Sequence, residues 1–168
     1  MRYMPAALAL SAILAVTASV GQGAPPAPLD ARAAALVAQG RAALAAGQAD
    51  SAIDAFESAL AIQPGHVAIY LNLAEATRKQ GMQGKALRYY REALKIDPNN
   101  TFAIAGEGAA LVEKGAVEKA RRNLSRLQQI CGNTCPATTE LAAAIQKGPA
   151  PQVVTADQVK SQPVVTSN

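Results

Sequence analysis

The sequence predicts an all-α protein made of consecutive antiparallel helix pairs, and three observations support this. Half of the 168 residues are hydrophobic, but only 4% are aromatic and none is Trp. The core must therefore be aliphatic, and such Ala-rich periodic segments favour helix over strand. The chain also repeats itself every 34 residues, as from Pro64 to Pro98, and Gly47, Gly81 and Gly115 mark one turn in each copy.

The first segment, residues 1–23, has the layout of a secretory signal peptide. Arg2 precedes an apolar run that reaches about Val20 and ends in small residues, and no Cys follows it as a lipoprotein would require. We expect cleavage near residues 22–25, with 24–30 as a linker. The alternative is an uncleaved inner-membrane anchor, because the run approaches the ~18 apolar residues that can span a bilayer. Either way we expect export, with a periplasmic location if the segment is cleaved.

A net charge of +4 is too small to indicate nucleic acid as a partner. A nucleic-acid reader would cluster its cations on one face with aromatic stacking platforms. In this chain acids and bases interleave, as at Lys114, Glu118 and Lys119. The pattern indicates a solvated helix surface.

Each 34-residue period divides into two helices with apolar stripes. The predicted helices are 31–45 with 49–62, 67–79 with 83–96, and 101–113 with 117–131. Pro98 ends one helix because proline cannot continue it, and Asn100 offers a cap for the next. Small residues should let the paired helices approach, and larger ones should fill the space between pairs. The positions predicted to pack the repeats are Gly40, Ala52, Phe56, Ala59, Pro64, Ala74, Ala86, Tyr90, Ala93, Pro98, Gly108 and Ala120.

The end of the third period departs from the pattern, since Gly132 stands where the repeat expects Pro. A stack of repeats needs a polar-backed terminal helix, and residues 135–147 supply one. Pro136 suits its first turn and Gly148 its end. The folded part is therefore expected at 31–147. Residues 148–168, rich in Pro, Gln, Thr and Ser, are predicted to form a disordered tail.

Chemistry beyond packing is sparse. Cys131 and Cys135 suggest a disulfide in an exported protein, with unpaired thiols as the alternative in a reducing compartment. Their short loop predicts about 2 kcal/mol of stabilisation at most. The spacing differs from the Cys-x-x-Cys of redox catalysts, and a zinc site needs about four ligands. His66, the single histidine, falls in a turn. We predict no enzyme activity, no metal and no cofactor.

The register resembles that of the tetratricopeptide repeat family. That family places a small residue at position 8, Ala at 20, an aromatic residue at 24, Ala at 27 and Pro at 32 of each copy. Three copies match, at about 33–66, 67–100 and 101–132, although Leu124 and Leu127 replace the aromatic residue and the Ala in the third. The resemblance implies a short right-handed superhelix that acts as a non-catalytic scaffold for protein–protein interaction.

In this family the first helix of each repeat lines a concave groove. Mapped onto this chain, the candidate partner-binding residues are Val37, Arg41, Leu44, Leu71, Asn72, Glu75, Arg78, Phe102, Val112 and Glu113. Only Asn72 matches the family's carboxylate clamp, so recognition of a peptide C-terminus is not expected. We expect an adaptor of the bacterial cell envelope that binds a peptide or helix. The alternatives are a self-assembling structural module, a redox role for the Cys pair, and charged groove residues that serve solubility alone.

Overall fold

The computed structural model describes residues 28–149, which form seven α-helices without any strand in this range. The helices are α1 Ala31–Ala45, α2 Ala49–Ile62, α3 Val67–Lys79, α4 Gln83–Ile96, α5 Thr101–Glu113, α6 Val117–Cys131 and α7 Pro136–Lys147. The first six coincide with the ranges predicted from the sequence, and α7 begins one residue after the predicted start. The predicted signal peptide and most of the predicted tail lie outside the described residues and stay predictions.

Local chemistry sets the ends of the helices. The Asp30 carboxylate caps α1 by accepting the backbone N–H groups of Arg32 and Ala33 at 2.8 and 3.3 Å. The Asn100 side chain caps α5 by accepting the N–H of Ala103 at 2.9 Å, which confirms the predicted cap. Both satisfy donors that the first turn of a helix leaves without a partner.

Two of the twelve predicted packing positions are corrected. Pro64 and Pro98 are exposed in the turns after α2 and α4, so they do not pack the repeats. Their effect is local, because a residue without an N–H and with a fixed φ ends each helix at the boundary between repeats. The other ten positions are buried, among them Ala52, Ala86 and Ala120 at 0% exposure.

Two aromatic rings of the core pack against glycine residues of neighbouring helices. A Cβ on Gly40 would lie 2.4 Å from the ring of Phe56, which packs back against α1 of its own repeat. One repeat later Ala74 takes the place of Gly40, and the ring of Tyr90 lies instead over Gly106 of α5, where a Cβ would be 2.3 Å away. The missing side chain thus decides which neighbouring helix each ring covers.

The seventh helix closes the array by packing on α5 and α6. Leu141 is 1% exposed and lies over Gly108, where an added Cβ would meet it at 2.6 Å. Thr138 is 2% exposed, and its hydroxyl donates to the carbonyl of Gly132 at 2.9 Å. Within residues 28–149, no helix combines the length and the apolar character needed to cross a bilayer.

Candidate functional site

A groove of about 490 Å³ runs across the first helices of the repeats and is bounded by α7. It is called the groove below, and its lining consists of Arg41, Ala68, Leu71, Asn72, Glu75, Arg78, Tyr90, Phe102, Ala105, Gly106, Ala109, Glu140, Leu141 and Ala144. Successive first helices contact one another, α1 with α3 and α3 with α5. Among the described helices, the backbones of α2, α4 and α6 do not approach one another in this way and only long side chains bridge them, as from Lys85 to Glu57, so these helices splay apart on the outer side. The groove therefore occupies the concave side of the stack.

The centre of the groove is a compact cluster of charges. The Arg78 guanidinium donates to both carboxylate oxygens of Glu75 at 3.0 and 3.1 Å and to the carboxylate of Glu113 at 2.5 Å. The Tyr90 hydroxyl donates to Glu75 at 3.2 Å. Burial and the neighbouring Glu75 carboxylate raise the pKa of Tyr90 well above its usual value, so the phenol stays protonated and continues to donate. These side chains hold one another in place, which fixes the polar floor before any partner arrives.

Charged side chains also stand at both sides of the groove. On the α1 side, Arg41 donates from Nε to Asn72 Oδ1 at 3.0 Å and is otherwise exposed. Asn72 in turn donates to the carbonyl of Ala68 at 2.5 Å, which orients its side-chain oxygen toward Arg41. On the α7 side Glu140 is exposed. The groove thus carries a positive charge on one side and a negative charge on the other.

Between these charges the surface of the groove is apolar and is formed largely by small side chains. Phe102, at the start of α5, is 73% exposed, the largest fraction among the exposed large hydrophobic residues of the described chain. Its neighbours in the lining are small, such as Ala105, Gly106 and Ala109. An exposed ring above small side chains offers apolar area that a partner can cover while approaching close to the helix backbones.

Six of the ten residues predicted for the groove line it in the structure: Arg41, Leu71, Asn72, Glu75, Arg78 and Phe102. Their role in binding stays a prediction. Val37 and Val112 are not part of the lining, and their side chains, 3% and 2% exposed, belong to the core. Leu44 is half-buried against the same core, and Glu113 lies behind the lining, where it holds Arg78.

Two contributions to the groove were missed by reasoning from the sequence. The first is α7, which supplies Glu140, Leu141 and Ala144. The repeat register counts only first helices, so a terminal helix outside the register carried no signal. The second is Tyr90, a residue of a second helix that was predicted only to pack. Glycine at 106 was the available signal, since it leaves room for that ring to lean toward α5.

The two cysteines lie where the array closes. Cys131 ends α6, Cys135 precedes α7, and their Cα atoms are 5.9 Å apart, a separation that a disulfide can span. The hydroxyl of Thr138 lies 3.2 Å from Cys135 Sγ. The bridge itself stays a prediction. His66 immediately precedes α3, at its N-cap position. Residues 28–149 hold no group of three or more His, Cys, Asp or Glu arranged for a metal ion.

A stack of helix pairs with a lined concave groove defines the class of helical-repeat scaffolds. Residues 37–101 match the model of the tetratricopeptide repeat family. This match covers less than half of the chain, and over residues 37–101 it agrees with the tetratricopeptide repeat register predicted from the sequence. Domains of this kind are in general non-catalytic interaction modules.

Solved structures with the same fold include three tetratricopeptide repeat domains. The first such domain of Spaghetti (RPAP3), bound to an HSP90 peptide, has a TM-score of 0.62 and 24% identity over 69% of this chain and 92% of that chain. The second domain of human RPAP3, in complex with an HSP70 peptide, has a TM-score of 0.61 and 20% identity over 67% and 94%. The domain of Arabidopsis OM64 has a TM-score of 0.63 and 17% identity over 69% and 95%. At these identities the likeness shows the fold alone.

One curated relative is the CTR9 homolog of Arabidopsis thaliana. It is 30% identical over 95 residues, which are 56% of this chain. The matched region is only 9% of that protein, so this chain spans about a tenth of its length.

Proposed function

We propose that the protein is a non-catalytic interaction scaffold that binds a peptide or a helix of a partner protein in the groove. The observation that carries this proposal is Phe102, a ring 73% exposed on the inner side of the stack, beside a charged floor that is already ordered. A binding surface that needs no rearrangement loses less conformational entropy when it is occupied. Two of the structural neighbours hold peptides, which supports the same mode of binding for this chain.

The charges at the sides of the groove give the ligand a direction. Arg41 favours an acidic group near α1, and Glu140 favours a basic group near α7. In the Glu75–Arg78–Glu113 cluster two carboxylates share one guanidinium, and Lys79 lies 4.0 Å from Glu75. Most of this charge is paired, so the cluster contributes mainly shape and hydrogen-bonding oxygens. An apolar segment with an acidic and a basic flank therefore suits the groove best.

Selection from a displayed library of random peptides on residues 24–168 tests this proposal. Peptides that are enriched would be synthesised and their Kd measured by calorimetry against the parent and two groove variants, Phe102→Ala and Arg41→Glu. Loss of a central aromatic contact is expected to weaken binding about tenfold or more. Ile62→Ser is the matched control, because Ile62 is also an exposed apolar residue, at 38%, and lies outside the groove. Enriched peptides that bind both groove variants as tightly as the parent would place the binding surface elsewhere.

We further propose that the scaffold serves the bacterial cell envelope after export. Arg2, the apolar run that follows it and the small residues before residue 24 support this placement. Fractionation of cells that express the whole chain, with mass spectrometry of the recovered protein, measures both location and mature start. A protein recovered from the cytoplasm with residues 1–23 intact would contradict the export proposal and leave the groove proposal standing.

A further inference from the structure

Charge on the outer side of the stack is unevenly distributed among the second helices. The helix α2 carries three acidic residues and no basic one, whereas α4 and α6 each carry four basic residues and one acidic residue. The two basic helices together have a charge of +6, while all of residues 28–149, with 14 basic and 11 acidic side chains, have only +3. The positive charge of the folded part is therefore concentrated on α4 and α6, called the outer basic face below.

The contact between neighbouring second helices changes in the same way. Lys85 of α4 reaches back to Glu57 of α2 at 3.2 Å, a salt bridge that neutralises this seam. The same two positions one repeat later are Lys119 of α6 and Arg91 of α4, so an ion pair is replaced by two cations. Arg91 turns instead to Glu107 of α5, at 2.9 Å. Lys119 thus lacks the acidic partner that Lys85 has one repeat earlier, and an external anion could supply one.

One exposed position of these helices also changes from acidic to basic. It holds Asp54 in α2, Arg88 in α4 and Arg122 in α6, and all three side chains are exposed. Arg88, Arg122 and Lys119 belong to none of the ion pairs of the described chain. Arg88 lies 5.3 Å from the centroid of the Tyr89 ring, a contact that leaves its side chain exposed. All three cations can therefore meet a partner without breaking an ion pair.

Exposed aliphatic side chains accompany the cations. Ile96 ends α4 at 46% exposure, and Ile130 lies one residue before the end of α6 at 38%. Surfaces that combine several cations with exposed aliphatic groups bind the interface of anionic bilayers, where the cations meet phosphates and the aliphatic groups enter the acyl boundary. An acidic protein segment would pair with the cations but would not account for the exposed aliphatic groups beside them.

We propose that the outer basic face is a docking surface for an anionic phospholipid bilayer. The groove opens on the opposite side of the stack, since its lining comes from the first helices, α7 and Tyr90. Docking through α4 and α6 thus presents the groove away from the membrane, where a partner can reach it. This surface differs from the N-terminal apolar run and would act after that segment has been removed.

Vesicle flotation with residues 24–168 tests the proposal. This fragment keeps every described core contact and removes the apolar run, which would itself insert into lipid; circular dichroism checks its helix content. Vesicles of phosphatidylcholine with about a third phosphatidylglycerol are compared with phosphatidylcholine alone. We expect at least tenfold more bound protein on the anionic vesicles, with most of it released at about 0.5 M salt, where screening shortens the Debye length.

Two pairs of variants identify the surface. Arg88→Glu with Arg122→Glu should reduce binding at least tenfold, because cations near an anionic surface each contribute several-fold. Arg32→Glu with Lys147→Glu makes the same change in net charge away from the face and should reduce binding less than threefold. Ile96→Ser should weaken binding severalfold, whereas Ile62→Ser, at the equivalent position of the acidic helix α2, should not.

Three results would overturn the proposal. One is equal binding to both kinds of vesicle. Another is an equal loss of binding in the two double variants, which would reduce the effect to net charge. The third is binding to soluble poly-aspartate without binding to anionic vesicles, which would assign the face to an acidic protein. None of these outcomes changes the expectation for peptide binding in the groove, so the two proposals fail separately.

Discussion

Replacing Gly40 by Ala measures how tightly the first helix pair is packed. The new Cβ would lie 2.4 to 2.8 Å from three ring carbons of Phe56, a side chain with 0% exposure. Because the ring is enclosed, it must shift or the two helices must separate, and such overpacking costs typically ~1–3 kcal/mol. Alanine returns up to ~1 kcal/mol through its higher helix propensity. We expect a net loss of about 1 kcal/mol in the free energy of unfolding.

Gly84 is the matched control for this substitution. It also lies within a helix, but a Cβ there would have no atom within 4 Å. Gly84→Ala should therefore stabilise the protein by about 0.5–1 kcal/mol, the usual gain for this change at an unstrained helical site. One chemical change thus produces opposite signs at two positions, and only their surroundings differ.

Urea unfolding followed by circular dichroism on residues 24–168 measures both effects. With slopes of ~1–3 kcal/mol per molar urea, the two midpoints should differ by roughly 0.5–2 M. The cost of Gly40→Ala should shrink in a Phe56→Leu background, because Leu lacks the ring carbons that the new Cβ would meet. A Gly40→Ala protein that is as stable as Gly84→Ala would refute the packing argument.

Three further predictions concern the charged floor and the closing junction. Tyr90→Phe removes a hydrogen bond to a carboxylate and should cost about 1–2 kcal/mol at neutral pH. Since the pKa of Tyr90 is raised in the folded state, its contribution is complete below about pH 10 and is lost as the pH rises through the folded value, so wild type should lose more stability there than Tyr90→Phe. Replacing Cys131 and Cys135 by Ser should cost about 2 kcal/mol at most, and wild type under reductant should show the same loss. Arg78→Met should cost about 1 kcal/mol after allowance for solvent screening, since its partners, Glu113 among them, are about one third exposed.

Each of these predictions has a control and a contradicting result. Tyr70→Phe is the control for Tyr90→Phe, because it removes a hydroxyl from a ring that lies beside Tyr89 rather than over the Glu75 carboxylate. Parallel pH profiles of wild type and Tyr90→Phe would contradict the expected shift. Urea midpoints that do not respond to reductant would argue against the Cys131–Cys135 bridge, and mass spectrometry with thiol labelling reads the bond directly. Arg32→Met, an exposed arginine of α1, is the control for Arg78.

The repeat register alone located the helices, because each depends on information close by in the chain. Gly47 and its equivalents have φ between 75° and 80°, a conformation that glycine adopts without strain, so a turn could be placed from residue type. The cap at Asn100 and the helix ends at Pro98 follow from the side chain or ring of a single residue. The candidate groove could be predicted in part, since six of the ten residues assigned to it from the register of the first helices line it in the structure.

The remaining features depend on which surfaces meet, and a periodic pattern cannot state that. Val37 and Val112 stand at groove positions of the repeat, yet both are buried in the core of this chain. Tyr90 reaches the groove only because Gly106, on the next repeat, leaves it space.

The sequence by itself determined seven helices, their order and the kind of scaffold they form. The tertiary structure alone decided how α7 completes the groove, which carboxylates Arg78 holds, and that the cations of α4 and α6 gather on one outer face. The physical reason is range. Helix limits are set by residues within about one turn, whereas burial and charge clustering are sums over side chains that meet only after the repeats have stacked.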